Sequence, residues 1–195
     1  MLKLFVRSTI MTLVLAVILC GAYPLLVTGV GRLLFPNAST GSLVKAEDGR
    51  IVGSSLIGQP FAKPEYFHPR PSAAGSGYDG ASSSGTNLGP TSQKLADQVK
   101  AAVEAVLKEN PTLKKGAIPP DMVTSSASGL DPHISPENAL AQADRVATAR
   151  GVSADQVRDL IKERVEGPQW RLFGEPAVNV LLLNLDLDRK LAKAK

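Results

Sequence analysis

The stretch STIMTLVLAVILCGAYPLLVTGVG, residues 8–31, contains 24 consecutive residues without a charge. As a helix rising about 1.5 Å per residue it would be about 36 Å long, enough to cross a hydrocarbon core of about 30 Å with some tilt. A backbone within lipid has to satisfy its own hydrogen bonds, so a helix is the expected form. Pro24 lies in the middle of the stretch and is expected to kink it. The stretch therefore predicts a transmembrane helix over residues 8–35.

A cleaved signal peptide and a lipoprotein signal are the two alternatives to a retained helix. A signal peptide has a shorter apolar core that ends at small residues followed by polar chain. Here the apolar run continues through PLLVTGVG, residues 24–31. A lipoprotein signal needs a small residue directly before the modified cysteine, but Leu19 precedes Cys20. The sequence therefore favours a retained helix, and Cys20, the only cysteine, has no partner for an intramolecular disulfide.

The charges around this helix predict its orientation. Lys3 and Arg7 precede it, and Arg32 is the lone charge near its other end. The positive-inside rule then puts residues 1–7 in the cytoplasm and the soluble part, residues 36–195, on the extracytoplasmic side. The same three residues carry three of the four net positive charges of the chain. The soluble part has no basic stripe with interleaved aromatic residues, which excludes nucleic acid as a partner.

The first half of the soluble part is rich in turns and proline. SLVKAEDGRIVGSSLIG, residues 42–58, has two apolar runs around Asp48-Gly49, a dipeptide that tolerates positive φ, and this pattern predicts a β-hairpin. QPFAKPEYFHPRPSA, residues 59–73, is broken by prolines and is expected to be irregular chain packed on the domain. A Gly/Ser-rich loop follows over residues 75–91. It is too long for a simple turn, which indicates a function or a partner surface.

Helical patterns begin after this loop. Residues 92–110 are expected to form a helix that Thr91 caps, followed by Pro111. Its apolar side chains form one stripe: Leu95, Val99, Ala102, Val103 and Val106. A second helix is expected to start with Ser135 as N-cap and Pro136 in its first position.

The C-terminal third alternates between the two kinds of secondary structure. SADQ, residues 153–156, is a capping box that starts a third helix, and GPQ, residues 167–169, is expected to stop it. The residues expected to face inward from this helix are Val157, Leu160, Ile161 and Val165. EPAVNVLLLNLDLD, residues 175–188, reads as a central strand that passes into a basic terminal helix or tail. The sequence therefore predicts a single-pass membrane protein, with one N-terminal transmembrane α-helix and a mixed α/β (α+β) globular domain.

The stretch SASGLDPHISP, residues 126–136, contains the side chains of a hydrolase triad: Ser128 as nucleophile, His133 as base and Asp131 as orienting group. Members of such triads come from separate parts of a fold, and three members within six residues could hardly converge. No G-x-S-x-G elbow is present either. The stretch is therefore interpreted as a connector into the second helix, and no catalytic residue is assigned. His68 and His133 have no third soft ligand outside the apolar helix, so no metal site is assigned.

Beyond these patterns, the chain resembles a known family along essentially its whole length. The similarity rests on strings that occur in register: GAYPLLVTGVG, LLFP, GSLV, GSSLIGQPF, YFHPRPSA, SSGTNLGPT, SASGLDPHISP, RVATARG and GEPAVNVLLLNLDLD. Several of them are long and unusual in composition. Together they resemble the C subunit of the Kdp potassium-transporting P-type ATPase, the KdpC family.

The resemblance implies a high-affinity potassium uptake complex in a bacterial or archaeal plasma membrane. The implied partners are a P-type ATPase subunit, a channel-like potassium-selective subunit and a small membrane subunit, with the lipid bilayer around the helix. The C subunit does no phosphoryl transfer itself, and this chain has neither G-x-x-x-x-G-K-[ST] nor D-K-T-G-T. An accessory, non-catalytic subunit without a tightly bound cofactor is therefore expected. The family-motif residues with an implied structural role are Ser126, Ser128, Gly129, Leu130, Asp131, Pro132, Asn179 and Asn184.

The resemblance leaves two roles open for the soluble domain. In one, the domain supports assembly and caps the potassium entrance; in the other, it is a catalytic chaperone that contacts ATP jointly with the pump subunit and raises its nucleotide affinity. The candidate nucleotide or partner-contact residues are Ser83, Ser84, Gly85, Thr86, Asn87, Leu88 and Gly89. Their backbone N–H groups could cradle phosphate oxygens. However, Arg70 is the only nearby cation, and Ser84 and Ala81 stand where the family pattern has a glycine and a glutamine.

A third hypothesis, of a different class, is a stand-alone membrane-anchored receptor or hydrolase. It predicts a concave pocket with convergent polar groups. A subunit of a complex instead predicts apolar surfaces that need partners.

Overall fold

The computed structural model describes residues 1–46 and 48–191. The chain divides into two compact units, Met1–Val44 and Lys45–Lys195. The helical elements of the first unit are α1 (Leu2–Val17), a π-helical turn (Ile18–Ala22), α2 (Tyr23–Leu34) and the short α3 (Pro36–Ser39).

The helical segment Leu2–Leu34 is long and apolar enough to cross a membrane, with a mean hydropathy of 2.5 over its most apolar window and no side chain buried in protein. This confirms the predicted N-terminal apolar helix, which starts at Leu2 and so extends over residues 2–7 as well. The irregularity expected at Pro24 takes the form of the π turn that directly precedes it. Proline has no N–H and its ring clashes with the carbonyl four residues back, and a π turn shifts the hydrogen-bond pattern by one residue.

The predicted hairpin is confirmed as a two-stranded sheet of β1 (Leu43–Lys45) and β2 (Ile51–Ser54). At the turn, the Ala46 amide donates to the Arg50 carbonyl over 2.9 Å, and Gly49 has a φ of 80°. Only glycine adopts this left-handed conformation at little cost, which is why the Asp48-Gly49 pair marks the turn.

A second, three-stranded sheet has the strand order β3-β5-β4 and is antiparallel throughout. β3 (His133–Ile134) pairs with β5 (Ala177–Asn179) in the register His133 to Asn179. β4 (Val165–Glu166) pairs with the other edge of β5, with Val165 opposite Val178. The sheet is small, but it joins the connector before α5 to the β4–β5 segment that follows α6.

Four helices complete the second unit: α4 (Gln93–Glu109), α5 (Pro136–Arg150), α6 (Ala154–Glu163) and α7 (Val180–Lys190). Short 3₁₀ turns over Lys115–Ala117 and Pro120–Met122 connect α4 with β3. The hydrophobic core lies between α5, α6, α7 and β5, and its members are Phe67, Ile134, Ala139, Ala143, Val146, Ala147, Val157, Leu160, Ile161, Val178, Val180, Leu183 and Leu187. The apolar stripe of α4 is only half-buried, so α4 lies outside this core.

Two of the predicted helix starts are confirmed with their capping contacts. The Ser135 hydroxyl accepts a hydrogen bond from the Asn138 amide over 3.0 Å, and Pro136 is the first residue of α5. Ser153 and Gln156 form the predicted capping box of α6. Gly151, between the two helices, adopts the left-handed conformation that ends α5 with a φ of 71°.

Two predicted boundaries are wrong by a few residues. The N-cap of α4 is Ser92, not Thr91, and it makes no side-chain capping bond. α6 ends at Glu163 rather than at Gly167, so Val165 lies exposed in β4 instead of facing inward from a helix. Val165 and Glu166, which the helical pattern would have placed in α6, instead form β4 and pair with β5.

The predicted central strand is mostly a helix. Only Ala177–Asn179 is β5, and α7 starts at Val180. Asn179 ends the strand, because its side chain accepts a hydrogen bond from the Leu182 amide over 3.2 Å and so caps α7. The buried apolar residues of α7 include Val180, Leu183 and Leu187, which have helical spacing.

Candidate functional site: two interlocked loops

Two of the strings that carry the resemblance lie against each other in the structure, although 44 positions separate Ser84 from Ser128. The Ser84 amide donates to the Ser128 carbonyl over 3.0 Å, and the Ser83 hydroxyl donates to the same oxygen over 3.0 Å. A Cβ atom at Gly85 would lie 2.8 Å from the Ala127 carbonyl oxygen, so only glycine allows this approach without a shift. We call residues 82–89 and 126–132 the interlocked loops.

Gly129 is the tightest point of the interlocked loops. Its φ is 66°, and a Cβ atom there would lie 2.5 Å from the Ser84 carbonyl oxygen and 2.7 Å from the Ala74 nitrogen. The Ser72 hydroxyl donates to the Gly129 carbonyl over 2.6 Å and accepts from the Tyr78 amide over 2.8 Å. A left-handed backbone and two backbone neighbours therefore both require glycine at this position.

The interlocked loops also contact the segment that follows the β1–β2 hairpin. The Gly58 amide donates to the Leu130 carbonyl over 2.8 Å. A Cβ atom at Gly58 would lie 2.6 Å from the Asp131 carbonyl oxygen. The Leu130 amide donates to the Ser128 hydroxyl over 3.1 Å, which fixes the turn before Asp131. Three irregular segments are therefore joined by backbone contacts at one place.

A line of four ionisable side chains runs from the interlocked loops to the three-stranded sheet. Arg70 donates to Asp131 over 3.1 Å, and the His133 ring lies 3.7 Å from Asp131 on one side and 3.7 Å from Glu166 on the other. Asp131 also accepts a hydrogen bond from the His133 amide over 3.0 Å. These residues tie the Pro-rich segment, the connector and β4 together by charge.

The environment of this line shifts the pKa values of Asp131 and His133. Burial alone would raise the pKa of Asp131, but hydrogen bonds from His133 and the charge of Arg70 outweigh it, so the pKa is lowered. The hydrogen bond to Asp131 raises the pKa of His133, with a further contribution from Glu166, against the effect of burial. Asp131 and His133 therefore each favour the charged form of the other.

Tyr78 secures the other side of Arg70. Its hydroxyl donates to the Arg70 carbonyl, and burial raises the pKa of Tyr78 to about 12. The Arg70 Nε atom is buried and is the one buried side-chain nitrogen or oxygen in the described part of the chain that lacks a hydrogen-bond partner. The guanidinium is thus directed at Asp131 and at the carbonyls of Thr124 and Ser125.

The Pro-rich segment is held by polar side chains that reach it from the core helices. Asn184, on α7, donates to the Phe67 carbonyl over 3.0 Å and accepts from its amide over 2.8 Å. Gln142, on α5, makes the same pair of bonds with His68, at 3.0 and 2.8 Å. Because these amides satisfy the backbone as a strand would, an irregular segment can cross the core. We call residues 64–68 the strap.

His68 itself lies in a cluster with Glu109 and Arg145. Its ring lies 3.3 Å from the Glu109 carboxylate and 3.3 Å from the Arg145 guanidinium. Burial, and then the charge of Arg145, lower the pKa of His68 despite the Lys63 carbonyl and Glu109. Arg145 also donates to the carbonyls of Pro64 and Tyr66, at 2.8 and 3.0 Å. The cluster therefore fixes the strap rather than presenting free groups to solvent.

The predicted site residues come together only in part. Ser83, Ser84 and Gly85 meet Ser126–Gly129 in the interlocked loops, whereas Asn179 and Asn184 hold other segments, the first through a bond of 2.8 Å to the Ser55 carbonyl. Thr86 and Leu88 line an open groove of about 560 Å³ between the loop and α4. α4 begins only at Gln93, after the loop has ended, and the Ser84 amide is already bonded.

The triad residues of the connector are engaged with other groups. The Ser128 hydroxyl accepts from the Leu130 amide and lies 3.5 Å from the Ser126 hydroxyl, while Asp131 pairs with Arg70. Among the residues that the structure describes, no group of three or more His, Cys, Asp and Glu side chains is arranged to hold a metal ion.

Sequence reasoning did not identify Ser72, Tyr78, Gln142 and Arg145, which support these contacts. A signal existed for α5: Asn138, Gln142 and Arg145 are polar residues at helical spacing on a face that otherwise carries alanine and valine. Inward polar residues at such spacing indicate that the helix holds irregular chain.

An N-terminal apolar helix long enough to span a membrane is followed by an α+β domain, and the motif residues of this domain fasten its own irregular segments. These features define the class: a single-pass membrane protein with an α+β domain. Comparison with known proteins gives the family. The family model described as "K+-transporting ATPase, c chain" matches residues 5–189. The chain therefore belongs to the KdpC family of potassium-transporting ATPase subunits, as the resemblance of its motifs predicted.

Curated relatives agree over nearly the whole chain. The potassium-transporting ATPase KdpC subunit of Myxococcus xanthus is 57% identical over 94% of this chain and 85% of its own length. That of Nitratidesulfovibrio vulgaris is 57% identical over 96% of this chain and 95% of its own length. That of Koribacter versatilis is 52% identical over 95% and 94%.

Proposed function

We propose that this chain is the accessory, non-catalytic subunit of a high-affinity potassium uptake complex, and that it supports assembly and activity of the pump and channel-like subunits. The relatives with 52–57% identity are named as KdpC subunits of such an ATPase, which supports a role within a complex. The partners on this proposal are the P-type ATPase subunit, the channel-like subunit and the small membrane subunit. The family has these partners in a bacterial or archaeal plasma membrane.

One observation carries the choice of an assembly role over ATP contact. The Ser83 hydroxyl and the Ser84 amide both donate to the Ser128 carbonyl, so two of the groups that could bind a phosphate are used inside the domain. The glycine at position 85 is explained by the approach of the Ala127 carbonyl. Ser83, Ser84 and Gly85 are therefore accounted for by the packing of the chain on itself, which supports an assembly role.

The second candidate function, contact with ATP together with the pump subunit, has the groove beside the loop in its favour. The groove of about 560 Å³ is large enough for a nucleotide base or ribose, and Thr86 and Leu88 line it. No cofactor bound tightly by this chain alone is required on either proposal.

A stand-alone receptor or hydrolase has less support. A pocket of about 660 Å³ is lined by Arg70, Asp121, Asp131, His133 and Glu137 among other residues. The Asp121 carboxylate is bonded to the Ser135 amide and hydroxyl, and Asp131 is bonded to Arg70 and His133. These polar groups therefore fasten the start of α5 and the connector, rather than converging on free space.

We infer the orientation from the charges: Lys3 and Arg7 in the cytoplasm, the domain on the extracytoplasmic side. Topology labelling tests it and bears directly on the ATP proposal. In a Cys20→Ser background, a reporter cysteine replaces the exposed Ser82, and intact cells receive an impermeant maleimide. Leu2→Cys, at the other end of the helix, is the matched reporter.

Labelling of the Ser82 reporter but not of the Leu2 reporter in intact cells is the expected result. Because ATP is scarce outside the cell, this result would count against ATP contact. Labelling of the Ser82 reporter only after the membrane is opened, with the Leu2 reporter accessible from outside, would reverse the orientation and make ATP contact the leading proposal.

A pair of glycine substitutions separates assembly from ATP contact. Gly85→Ala puts a Cβ atom 2.8 Å from the Ala127 carbonyl, whereas a Cβ at Gly89 meets nothing within 4 Å. An assembly role predicts that Gly85→Ala lowers the yield of the co-purified complex several-fold, with KM for ATP unchanged in what assembles. Gly89→Ala should match the wild type. An intact yield with a raised KM for ATP would instead support the chaperone role.

A further inference from the structure

The turn between β4 and β5 exposes three large apolar side chains within four residues. Trp170 is 89% exposed, Leu172 75% and Phe173 57%. The turn is nevertheless well defined: the Gln169 amide donates to the Phe173 carbonyl over 2.8 Å, and the Phe173 amide donates back over 3.0 Å. We call residues 168–173 the tip. Monomeric domains rarely leave such a contiguous patch in water without a function for it.

The backbone of the tip is strained in a way that fixes where its side chains point. Trp170 and Arg171 have φ values of 51° and 60°, and the Leu172 amide donates to the Gln169 carbonyl over 3.1 Å. Two consecutive left-handed residues are typical of a type I′ turn, whose positions are normally filled by Asn and Gly. Bulky residues at positive φ are true outliers, and such outliers occur where a function requires them.

The Trp170 and Phe173 rings stabilise this geometry by an edge contact, with centroids 6.1 Å apart and planes at 73°. Arg171 lies between the apolar residues in sequence, so the tip combines an indole, a phenyl ring and a leucine with one cation. This is the composition of segments that sit at the boundary between lipid headgroups and acyl chains, where Trp is enriched and Arg pairs with anionic headgroups.

A bilayer is always near this domain, because the apolar helix belongs to the same chain. The apolar helix ends at Leu34 and the second unit starts at Lys45, so the ten residues 35–44 tether the domain. Ten residues span at most about 35 Å. Four of these residues form α3, which shortens the tether, and a domain of about 150 residues has a radius of gyration of about 15 Å, so the tether keeps the domain close to the membrane. Tethering makes even a weak membrane contact effective, because the second contact is intramolecular.

We propose that the tip inserts into the headgroup–acyl boundary of the same bilayer that the N-terminal helix spans, with Trp170, Leu172 and Phe173 as the apolar contacts and Arg171 as the contact to anionic headgroups. This inference goes beyond the proposed subunit function and holds for either side of the membrane. It gives the domain a second membrane contact besides its tether.

The chain provides its own probe, because Trp170 is its only tryptophan. The full chain is reconstituted alone into vesicles of phosphatidylcholine and phosphatidylglycerol, and its emission is compared with that in the same vesicles made with lipids brominated near the headgroup. We expect blue-shifted emission and loss of most of the intensity in the brominated vesicles. Water-exposed emission that bromine leaves unchanged would overturn the proposal.

Matched variants identify the residues responsible. Leu172→Ser, which keeps the probe, should restore most of the quenched intensity, whereas Leu56→Ser, at a leucine outside the tip that is 61% exposed, should not. Arg171→Gln should weaken quenching only in vesicles that contain the anionic lipid. If Leu172→Ser has no effect, the quenching does not arise from insertion of the tip, and the proposal fails.

A last experiment distinguishes insertion of the tip into lipid from docking of the tip on a protein partner. A polarity-sensitive dye on Leu172→Cys, in the Cys20→Ser background, is followed in vesicles with and without the other subunits. An apolar signal from the chain alone supports lipid insertion. A signal that becomes apolar only with the other subunits would show that the tip docks on protein, and would overturn lipid insertion.

Discussion

The interlocked loops and the tip are both irregular and both contain residues at positive φ, but they use that conformation in opposite ways. In the interlocked loops the left-handed residues are Asn87 and Gly129, and at Gly129 the surrounding backbone is so close that no side chain fits. In the tip the left-handed residues are Trp170 and Arg171, and their neighbours are exposed to solvent.

The difference separates strain that serves the fold from strain that serves a surface. A glycine at positive φ with backbone atoms on two sides allows the chain to pack on itself, and the cost of the conformation is small. A tryptophan at positive φ has a cost of about 1–3 kcal/mol and gains no burial within the chain. The first arrangement should therefore fail by unfolding when changed, and the second by loss of an external contact.

The largest effect is expected from Gly129→Ala. The substitution adds left-handed strain and a Cβ atom 2.5 Å from the Ser84 carbonyl, and together these should lower the free energy of unfolding by about 4 kcal/mol. Gly151→Ala is the matched control, because Gly151 has a similar φ of 71° but a Cβ there meets nothing within 4 Å. It should cost only about 1–2 kcal/mol.

Urea unfolding of the full chain in detergent, followed by far-UV circular dichroism, measures both variants. Tryptophan fluorescence is unsuitable, because the only indole is in the exposed tip. Equal losses for Gly129→Ala and Gly151→Ala would mean that the close approach of the two loops contributes nothing beyond backbone strain, and the contrast with the tip would disappear.

A somewhat smaller effect is expected where the strap crosses the core. Asn184→Ala removes both hydrogen-bond partners of Phe67, and the buried amide and carbonyl left behind should cost about 3 kcal/mol. Asn37→Ala, at an exposed asparagine of α3, should be neutral within about 0.5 kcal/mol. If Asn184→Ala is equally neutral, the strap does not depend on the core, and irregular chain is held elsewhere.

The sequence allowed the local features of this fold to be predicted, and few of the distant ones. The caps at Ser135 and Ser153 and the turn at Gly49 depend on residues within a few positions of one another. The end of β5 could not be placed in the same way, because an apolar run fits a buried strand and a buried helix alike. The helical spacing of Val180, Leu183 and Leu187 was the available signal.

The candidate site shows the same division. Its strings were recognised from the sequence, but the contact of Ser84 with Ser128 joins positions far apart, and no local pattern specifies it. Whether a glycine such as Gly85 serves a ligand or a neighbouring carbonyl depends on that contact. The exposure of Trp170 was equally unpredictable, since an apolar residue between two strands is more often buried.

The next prediction concerns pH: the contributions of His133 and His68 to stability should depend on pH in opposite directions. The raised pKa of His133 means that its contribution to stability is fully present below its ordinary value of 6.5 and is lost as the pH rises through the raised value. The lowered pKa of His68 means that its contribution is present above 6.5 and is lost as the pH falls through the lowered value. The lowered pKa of Asp131 gives a contribution present above 3.8 and lost as the pH falls through the lowered value.

Because the two histidines oppose each other near pH 6.5, NMR titration of the individual rings is the measurement. Asp131→Asn removes the main cause of the shift at His133, so the pKa of His133 should fall to its ordinary value or below, while that of His68 stays lowered. Stability at pH 6 should fall by about 1–2 kcal/mol, since the bond from Arg70 is lost as well. An unchanged His133 titration would show that Glu166, not Asp131, sets its charge.

The smallest effect on stability, and the sharpest contrast with Gly129, is expected at the tip. Trp170→Gly removes a large exposed side chain from a residue with a φ of 51°, where glycine is unstrained. Relief of strain and the extra entropy of glycine in the unfolded chain oppose each other, so the free energy of unfolding should change by less than about 1 kcal/mol. The edge contact with Phe173 is lost, but both rings are mostly in water.

Circular dichroism in urea compares this variant with Gly129→Ala. We expect the loss of Gly129 to lower the free energy of unfolding strongly, and the introduction of glycine at position 170 to leave it nearly unchanged. A loss of about 2 kcal/mol or more for Trp170→Gly would mean that the indole stabilises the fold, and the tip would then belong with the interlocked loops rather than opposite them.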